Sequence, residues 1–399
     1  MDKHFLQSEA WAKFNKHLGK RVFQEQGDGW SFLAILEFTP LGKYLYLPYG
    51  PYISDKNGFE GAYKALHKLA RAQKVMFVRI EPTGNVAPDT LVKYGFHKTH
   101  QVNPERTWVL GLSTPEDEIL ANMKQNNRNL YHNYRHKGMQ VHHTTDATKI
   151  HYLTDLLGNV AKHNRITVHT NDYLWAQVDS GAATLYYVTL NAAKLDNAFS
   201  LSSARSKRSA RGDIPMVKTG DPVAPASPLA SSASRNESEK ALSNLACGTG
   251  GLSTTVSGDS ESRRIISNDT RNDGLAERPE IAVGEPQPII AAALIYDSPT
   301  TRYYAHAAAD YEHRKLAAGT ILVAQMIIDA KKKGLKWFDF YGVTDSDNPS
   351  HPWYGFTKFK KSFGGQSKNY LGTWEKPRKR AWYAVFKALS GLKRHFRLH

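Results

Sequence analysis

The spacing of apolar residues predicts the same order of elements twice along the chain. In the amino-terminal part, helical spacing over 6–18 predicts a helix, which is followed by strands at 31–37 and 43–47, a helix at 61–72 and a strand at 75–80. The carboxyl-terminal part repeats this order. Its predicted elements are a helix at 147–163, the two arms of a hairpin at 184–190 and 288–296, a strand at 301–304, a helix at 319–333 and a strand at 335–340. The repeat predicts an α/β (α+β) chain whose halves share one plan.

A long segment from about 194 to 286 breaks this pattern, because no apolar periodicity persists through it. Without bulky apolar residues it cannot bury enough surface to offset the entropy of ordering, so we predict a disordered insertion at 195–286. It would enlarge the loop of the interrupted hairpin, where insertions are tolerated. The predicted division is therefore a first domain at 1–146, a second at 147–375, and a carboxyl-terminal helix at 376–399.

The last segment, 376–399, has the pattern of a basic amphipathic helix that begins after Pro377 and packs back on the first domain. Apolar residues recur along one predicted side, at Trp382, Phe386, Leu389 and Phe396. Lys and Arg residues crowd the remainder. This composition suits the phosphates of tRNA or an anionic membrane surface, and a solvated terminal helix with no partner fits it equally well.

Composition and charge narrow the class of protein. The 399 residues carry 53 Lys and Arg against 37 Asp and Glu, so a formal net charge of +16 attracts polyanions. The single Cys247 excludes a disulfide framework and a multi-cysteine zinc site, which favours a reducing cytoplasm. The sequence has no run of 18 apolar residues and no apolar region near its start. We therefore expect a protein that is neither secreted nor membrane-spanning.

Short strings in a fixed order connect this pattern to a known family. The repeated order of hairpin, helix and strand suits two GNAT-like acyltransferase domains. The strings lie at 7–13, 47–52, 123–128, 164–173, 338–342, 359–365 and 370–372. Together they resemble the Fem-type family of non-ribosomal peptidyltransferases, over nearly the whole chain except the insertion.

The resemblance implies an aminoacyltransferase that moves an amino acid from aminoacyl-tRNA to an amine of a peptidoglycan precursor, either a UDP-linked muropeptide or a lipid-linked one, and builds the interpeptide bridge. It implies no metal and no other cofactor. It also implies a cytoplasmic protein with a possible peripheral contact at the inner membrane surface, where a lipid-linked acceptor would lie.

The resemblance also assigns a catalytic pair, Phe359 and Lys360. Aminolysis of the aminoacyl ester passes through a tetrahedral intermediate whose oxygen gains negative charge, and a fixed ammonium on Lys360 would stabilise that charge. Phe359 would pack against the terminal adenosine or its sugar. The alternative is an amphipathic helix with Phe356, Phe359 and Phe363 buried and its lysines solvated.

Four further residues are implied in substrate binding: Lys13, His169, Tyr173 and Tyr304. Lys13 would contact the acceptor's diphosphate as a point charge. His169 stands where the family has an arginine, and a mostly neutral imidazole without a bidentate fork binds phosphate more weakly. On strand 301–304, either Tyr304 or the later His306 could match the family's tyrosine.

Two other classes of protein remain open from the sequence. An acyl-CoA-dependent N-acyltransferase of the same fold would bind a pyrophosphate at a helix amino terminus, and residues 314–319 faintly resemble such a loop. A non-enzymatic RNA-binding protein would explain the charge and the aromatic residues, although no RNP-type or KH-type string occurs. A metalloenzyme is disfavoured because no HExxH-type spacing is present.

Overall fold

The computed structural model describes residues 3–164, 168–191, 287–351 and 353–395. These residues form two mixed β-sheets with helices on their faces. The predicted insertion at 195–286 and Cys247 lie outside the described residues.

The first sheet gathers short and long strands from the amino-terminal part together with one strand from the end of the chain. They are β1 (Arg21–Gly27), β2 (Trp30–Thr39), β3 (Gly42–Leu47), β4 (Tyr52–Ile53), β5 (Phe77–Ile80), β6 (Thr83–Gly84), β7 (His97–Lys98) and β15 (Trp374–Pro377). Their spatial order is β6-β4-β2-β3-β5-β15-β7, with β1 beside β2.

The second sheet includes both arms of the interrupted hairpin. Its strands are β8 (Arg106–Gly111), β9 (Met139–Thr144), β10 (Thr184–Leu190), β11 (Ile289–Asp297), β12 (Thr301–Ala309), β13 (Trp337–Gly342) and β14 (Gln366–Asn369), in the order β14-β8-β13-β12-β11-β10-β9. Strands β10 and β11 pair antiparallel. The predicted hairpin is therefore confirmed.

The described residues form ten α-helices. They are α1 (Glu9–His17), α2 (Gly58–Ala72), α3 (Pro88–Lys93), α4 (Glu116–Ala121), α5 (Gln125–Asn133), α6 (His151–Asn164), α7 (Asn171–Asp179), α8 (Ala318–Lys332), α9 (Tyr354–Lys361) and α10 (Arg380–His395). Five of these ten, α1, α2, α6, α8 and α10, lie where the apolar spacing predicts them. Side-chain caps start two of them: Ser8 accepts the Trp11 N–H, and Thr170 accepts the Tyr173 N–H. None of the described helices has the length and apolar character that crossing a membrane requires.

The two sheets repeat one unit. In the first, the antiparallel pair β2–β3 is followed by α2 and by β5, which runs parallel to β3. In the second, the antiparallel pair β11–β12 is followed by α8 and by β13, which runs parallel to β12. This duplicated unit confirms the predicted α/β fold with two GNAT-like domains.

Strand pairing crosses the predicted division of the chain at residue 146. Strands β8 and β9 precede that residue but pair with β13 and β10 in the second sheet. Strand β15 pairs with β5 and β7 of the first sheet, although it falls at the end of the predicted second domain. The sheets thus exchange strands, because backbone pairing depends on neighbours far away in sequence that local apolar spacing does not report.

The carboxyl-terminal helix α10 returns to the first sheet, as predicted. Its Tyr383 and Phe386 pack against Tyr44, Met76 and Phe77. The predicted apolar side differs, because the side chain of Trp382 is exposed whereas that of Tyr383 is buried. The helix therefore docks through a face that is rotated from the one the spacing indicated.

Candidate functional site

A cleft with two adjoining chambers lies beside the second sheet, walled by the segment 101–106. The inner chamber, about 150 Å³, is lined mainly by aromatic side chains from the amino terminus, α7 and the second sheet. The outer chamber, about 480 Å³, is polar and includes Arg106, Thr344 and Asn369. Both chambers have Gln101, Pro104 and Trp353 in their walls, so they adjoin.

The inner chamber brings together two histidines and a tyrosine. The rings of His169 and Tyr173 stack with their centroids 4.4 Å apart, and His306 stands edge-on to His169 at 5.1 Å. Burial lowers the pKa of His169 to about 4 and that of His306 to about 3. Both imidazoles are therefore neutral at pH 7, and this chamber offers hydrogen bonds without a positive charge.

Two buried nitrogen atoms in the wall of the inner chamber have no hydrogen-bond partner among the described residues. They are Nε1 of Trp11 and Nδ1 of His306, and the two side chains are 6% and 8% exposed. Buried polar groups are normally paired, so such atoms indicate a place for a polar ligand group. Because the indole nitrogen only donates, the ligand must present an acceptor to it.

Behind Tyr341, which lines the inner chamber, lies a cluster of aromatic rings on a constrained backbone, here called the cleft floor. His4 stacks on Tyr49 at 3.9 Å and contacts Tyr303 at 4.4 Å. Tyr49 and Tyr341 adopt φ angles of 45° and 66°, which non-glycine residues rarely do. Such conformations concentrate at functional sites, where the surrounding packing maintains them.

Lys360 contacts Gly342, the residue before Val343 in the wall of the outer chamber. Its Nζ donates to the carbonyl of Gly342 at 2.7 Å and sits 3.7 Å from the centroid of the Phe356 ring, and the side chain is 0% exposed. The other side of Gly342 faces Pro104 and Trp353, close enough that a Cβ atom would lie 2.7 Å from Pro104. Burial lowers the pKa of Lys360 well below its ordinary value.

The sequence left two interpretations of helix α9: a catalytic pair at Phe359 and Lys360, or an amphipathic helix with buried phenylalanines and solvated lysines. Phe356 and Phe363 are buried, and Phe359 packs on the core of the second sheet with its ring 5.2 Å from that of Phe363. The amphipathic pattern therefore holds for the phenylalanines. It does not hold for Lys360, which is enclosed instead of solvated.

Two predicted binding residues stand outside the cleft wall. Lys13 is exposed on α1. Tyr304 is buried in the core of the second sheet. The register of β12 against β11 shifts between Tyr304 and Ala307, and this bulge breaks the alternation of side chains, so Ala305 and His306 both line the inner chamber. His306, the alternative from the sequence, thus occupies the position expected of Tyr304.

Glu81, which the sequence did not single out, organises the junction of the two sheets. Its buried carboxylate accepts hydrogen bonds from the following donors: Tyr46 Oη, Tyr49 N, Asn103 N, Asn103 Nδ2 and Thr373 Oγ1, at 2.7–3.2 Å. Asn103 precedes Pro104 in the cleft wall, and Tyr49 belongs to the cleft floor. Glu81 therefore fixes both surfaces relative to the first sheet.

Asp339 is a second buried carboxyl that the sequence did not single out. It accepts a hydrogen bond from the backbone of Tyr341 at 2.7 Å and another from the hydroxyl of Thr107 at 3.1 Å. Burial raises its pKa to about 6, against the opposing effect of Lys368 and Lys360. A carboxyl that titrates near neutral pH beside a cleft is typical of a functional position.

We expect Asp339→Asn to stabilise the protein at pH 7 by about 3 kcal/mol at most. The folded pKa of about 6 lies above the ordinary value of 3.8, so the folded state binds the proton more tightly and loses stability as pH rises between these values. The asparagine amide has the shape of the carboxyl group but does not ionise, so it removes the cost of burying a charge. Urea unfolding at pH 4 and pH 7 measures it, with the exposed Asp347→Asn as control; an equal effect at both pH values would contradict the prediction.

The described residues contain no group of three His, Cys, Asp or Glu side chains that could hold a metal ion. They contain instead a hydrogen-bonding aromatic chamber, a polar outer chamber, and two buried titratable groups beside its wall. This arrangement can hold a neutral ligand group in one chamber and stabilise a developing charge near the other.

Comparisons with known proteins agree with the duplicated fold. The model of the FemAB family matches residues 258–391. The crystal structure of FemX matches with a TM-score of 0.65 at 17% identity, over 96% of this chain and 94% of FemX. A carboxyl-terminal DUF2156 domain, from a protein of Agrobacterium fabrum described as a lysylphosphatidylglycerol synthetase, matches with a TM-score of 0.50 at 9% identity, over 96% and 93% of the two chains.

A tandem GNAT protein from the clavulanic acid biosynthesis pathway also matches, with a TM-score of 0.41 at 10% identity, over 90% of this chain and 83% of that protein. Among curated proteins, none matches the chain.

Proposed function

We propose that the chain is an aminoacyltransferase of the FemAB type, which uses aminoacyl-tRNA and acts on an amine of a peptidoglycan precursor; the family-model match over residues 258–391 and the similarity to FemX support this. The observation that carries the proposal is the two-chambered cleft, with His169, Tyr173 and His306 in its inner chamber and Lys360 buried behind Gly342, next to its outer chamber. The acceptor is a muropeptide, UDP-linked or lipid-linked. The enzyme works in the cytoplasm and reaches a lipid-linked acceptor at the membrane surface.

The reaction forms an amide bond and breaks an ester bond. The acceptor amine attacks the ester carbonyl, the carbon–oxygen bond to the terminal ribose breaks, and a proton passes from the amine to the ribose oxygen. Holding both substrates in one cleft turns a two-molecule encounter into a local step. The oxygen that gains charge in the intermediate needs a fixed donor, and Lys360 donates a hydrogen bond whether or not it is charged.

The geometry of Lys360 allows two roles. The Gly342 segment separates its Nζ from the outer chamber, so direct contact with the ester requires that segment to move aside. If it stays in place, Lys360 holds the Gly342 carbonyl and positions the chamber wall. In either role, burying a lysine at this point is costly for folding, and strongly perturbed ionisable groups of this kind are concentrated at functional sites.

The His169 position argues against diphosphate binding in the inner chamber. Two neutral imidazoles and several aromatic rings cannot neutralise a phosphate as an arginine would. We propose that the chamber holds an uncharged, hydrogen-bonding part of a substrate. Lys13 and the diphosphate of a UDP-linked acceptor would then meet outside this chamber.

We expect His306→Phe to raise the KM for one substrate about 10-fold with little change in kcat, because one hydrogen bond to the ligand is lost while the volume is kept. Steady-state transfer rates at varied acceptor and donor concentrations identify that substrate. The control is His67→Phe, an exposed histidine on α2. An unchanged KM for both substrates would show that His306 does not contact either one.

A transfer assay tests the proposed function. The purified protein is mixed with radiolabelled aminoacyl-tRNAs and, in separate reactions, with the UDP-linked muropeptide, the lipid-linked precursor or phosphatidylglycerol. Labelled muropeptide supports the proposal. Labelled phosphatidylglycerol would instead show that the acceptor is a lipid and not a peptidoglycan precursor. Acetyl-CoA as donor tests the N-acyltransferase alternative. RNA binding without transfer from any donor would favour the RNA-binding alternative.

A further inference from the structure

Helix α10 has a second apolar face that nothing in the described structure covers. Trp382, Val385 and Leu389 are 52%, 45% and 46% exposed. Their spacing of three and four residues places them along one stripe of the helix. The docking residues Tyr383 and Phe386 lie on a different face, against the first sheet. The exposed stripe is therefore not needed to hold the helix in place.

The surroundings of this stripe are basic. The sequence from 376 to 399 contains no Asp or Glu. Lys379 and Arg380 are exposed at the start of the helix, and the backbone N–H of Lys379 donates to Met76, just beyond the exposed Lys74. Glu375, the last acidic side chain of the sequence, is buried and paired with Arg79 and Lys387. The exposed charge that this segment itself places beside the stripe is thus positive.

We propose that this face of α10 docks on an anionic lipid surface. Apolar side chains that include a tryptophan, bordered by Lys and Arg, are typical of helices that lie in the plane of a bilayer interface. Charge complementarity selects anionic lipid, since each nearby cation is attracted to the negative surface. A polynucleotide would use the cations but would leave Val385 and Leu389 without a function.

The position of α10 connects this surface to the cleft. Lys387 donates to the hydroxyl of Thr99 at 2.6 Å, and His97 hydrogen-bonds the hydroxyl of Tyr383 at 2.7 Å. The same segment continues into Gln101 and Pro104, which line both chambers. Docking through α10 would hold the cleft near the bilayer. This consequence rests on the proposed function and favours the lipid-linked acceptor, whereas docking itself does not depend on it.

Vesicle co-sedimentation of the full chain tests the proposal. Vesicles of phosphatidylcholine with phosphatidylglycerol are compared with vesicles of phosphatidylcholine alone. We expect binding only to the anionic vesicles, and Trp382→Ser and Leu389→Ser should each weaken it about 10-fold. The double variant Lys379→Gln and Arg380→Gln should weaken it as well and reduce its dependence on salt.

The matched control is Val92→Ser, which removes an exposed apolar side chain from α3. Helices α3 and α10 contribute to different hydrophobic clusters, so this variant should bind vesicles like the wild type. Binding that is absent, or that is equal in all variants, would overturn the proposal. A loss of tRNA affinity in Trp382→Ser, with vesicle binding unchanged, would overturn it in favour of RNA.

The same variants are assayed for transfer to the UDP-linked muropeptide, which does not require a membrane. Unchanged transfer by Trp382→Ser supports a surface that is separate from the chemistry. If the wild type transfers without binding vesicles, only the docking proposal fails. If it binds vesicles through α10 but transfers to no acceptor, the docking proposal stands and the proposed function fails.

Discussion

Lys360→Met is expected to lower kcat for transfer about 100-fold or more while the protein folds and melts no lower than the wild type. The loss follows from removing a fixed donor near the developing charge, which typically costs two to three orders of magnitude. Stability is spared because burial lowers the pKa of Lys360, so a lysine there is costly at neutral pH and methionine removes that cost. The lost hydrogen bond to Gly342 offsets part of this gain.

Single-turnover transfer rates and thermal unfolding measure the two effects, and Lys358→Met, an exposed lysine on the same helix, is the control. A change confined to kcat supports direct contact with the reacting ester, whereas a rise in KM supports a role in positioning the chamber wall. Full activity in a folded Lys360→Met protein would remove this residue from the mechanism.

Glu81→Ala is expected to destabilise the protein by about 4 kcal/mol and to abolish substrate binding in the cleft. The carboxylate accepts five hydrogen bonds and is 3% exposed, so its removal leaves several buried donors without partners, each at a cost of about 1–3 kcal/mol if water does not replace it. The cleft is lost because Tyr49 and Asn103 are no longer held.

Urea unfolding measures the loss of stability, and Glu37→Ala is the matched control. Glu37 makes one ion pair, with Lys20 at 2.8 Å, and is partly exposed. Its removal should cost about 1 kcal/mol or less. Equal effects of the two substitutions would mean that water satisfies the donors around Glu81, and that this carboxylate does not organise the cleft.

Local patterns in the sequence predicted the repeated unit of each sheet, two strands, a helix and a further strand, because apolar spacing reports directly which face of a helix or strand is buried. Helices α2 and α8 and the hairpin of β10 and β11 were predicted within a few residues. Strand β1 was not, since none of its residues is buried and its apolar spacing carries no signal. The turn between β1 and β2 does carry a hairpin signal, an Asp-Gly pair at 28–29.

Some residues of the candidate site were likewise indicated by the sequence, and others were found only in the structure. The resemblance of short strings pointed to His169 and Tyr173, which the structure brings together in one chamber. Glu81 and Asp339 were missed because an acidic residue in a strand looks the same in sequence whether it is exposed or buried. Their donors come from distant segments: Glu81 and Thr373 are 292 residues apart in sequence, and Asp339 and Thr107 are 232 apart.

The sequence by itself determined the duplicated α/β plan, the basic terminal helix and the resemblance to the Fem-type family, because each is carried by composition or by neighbouring residues. Only the tertiary structure decided that β8, β9 and β15 cross between the sheets, that His306 instead of Tyr304 lines the cleft, that Lys360 is enclosed, and which face of α10 is exposed. These features depend on pairing and burial between segments far apart in the chain, and local periodicity contains no information on them.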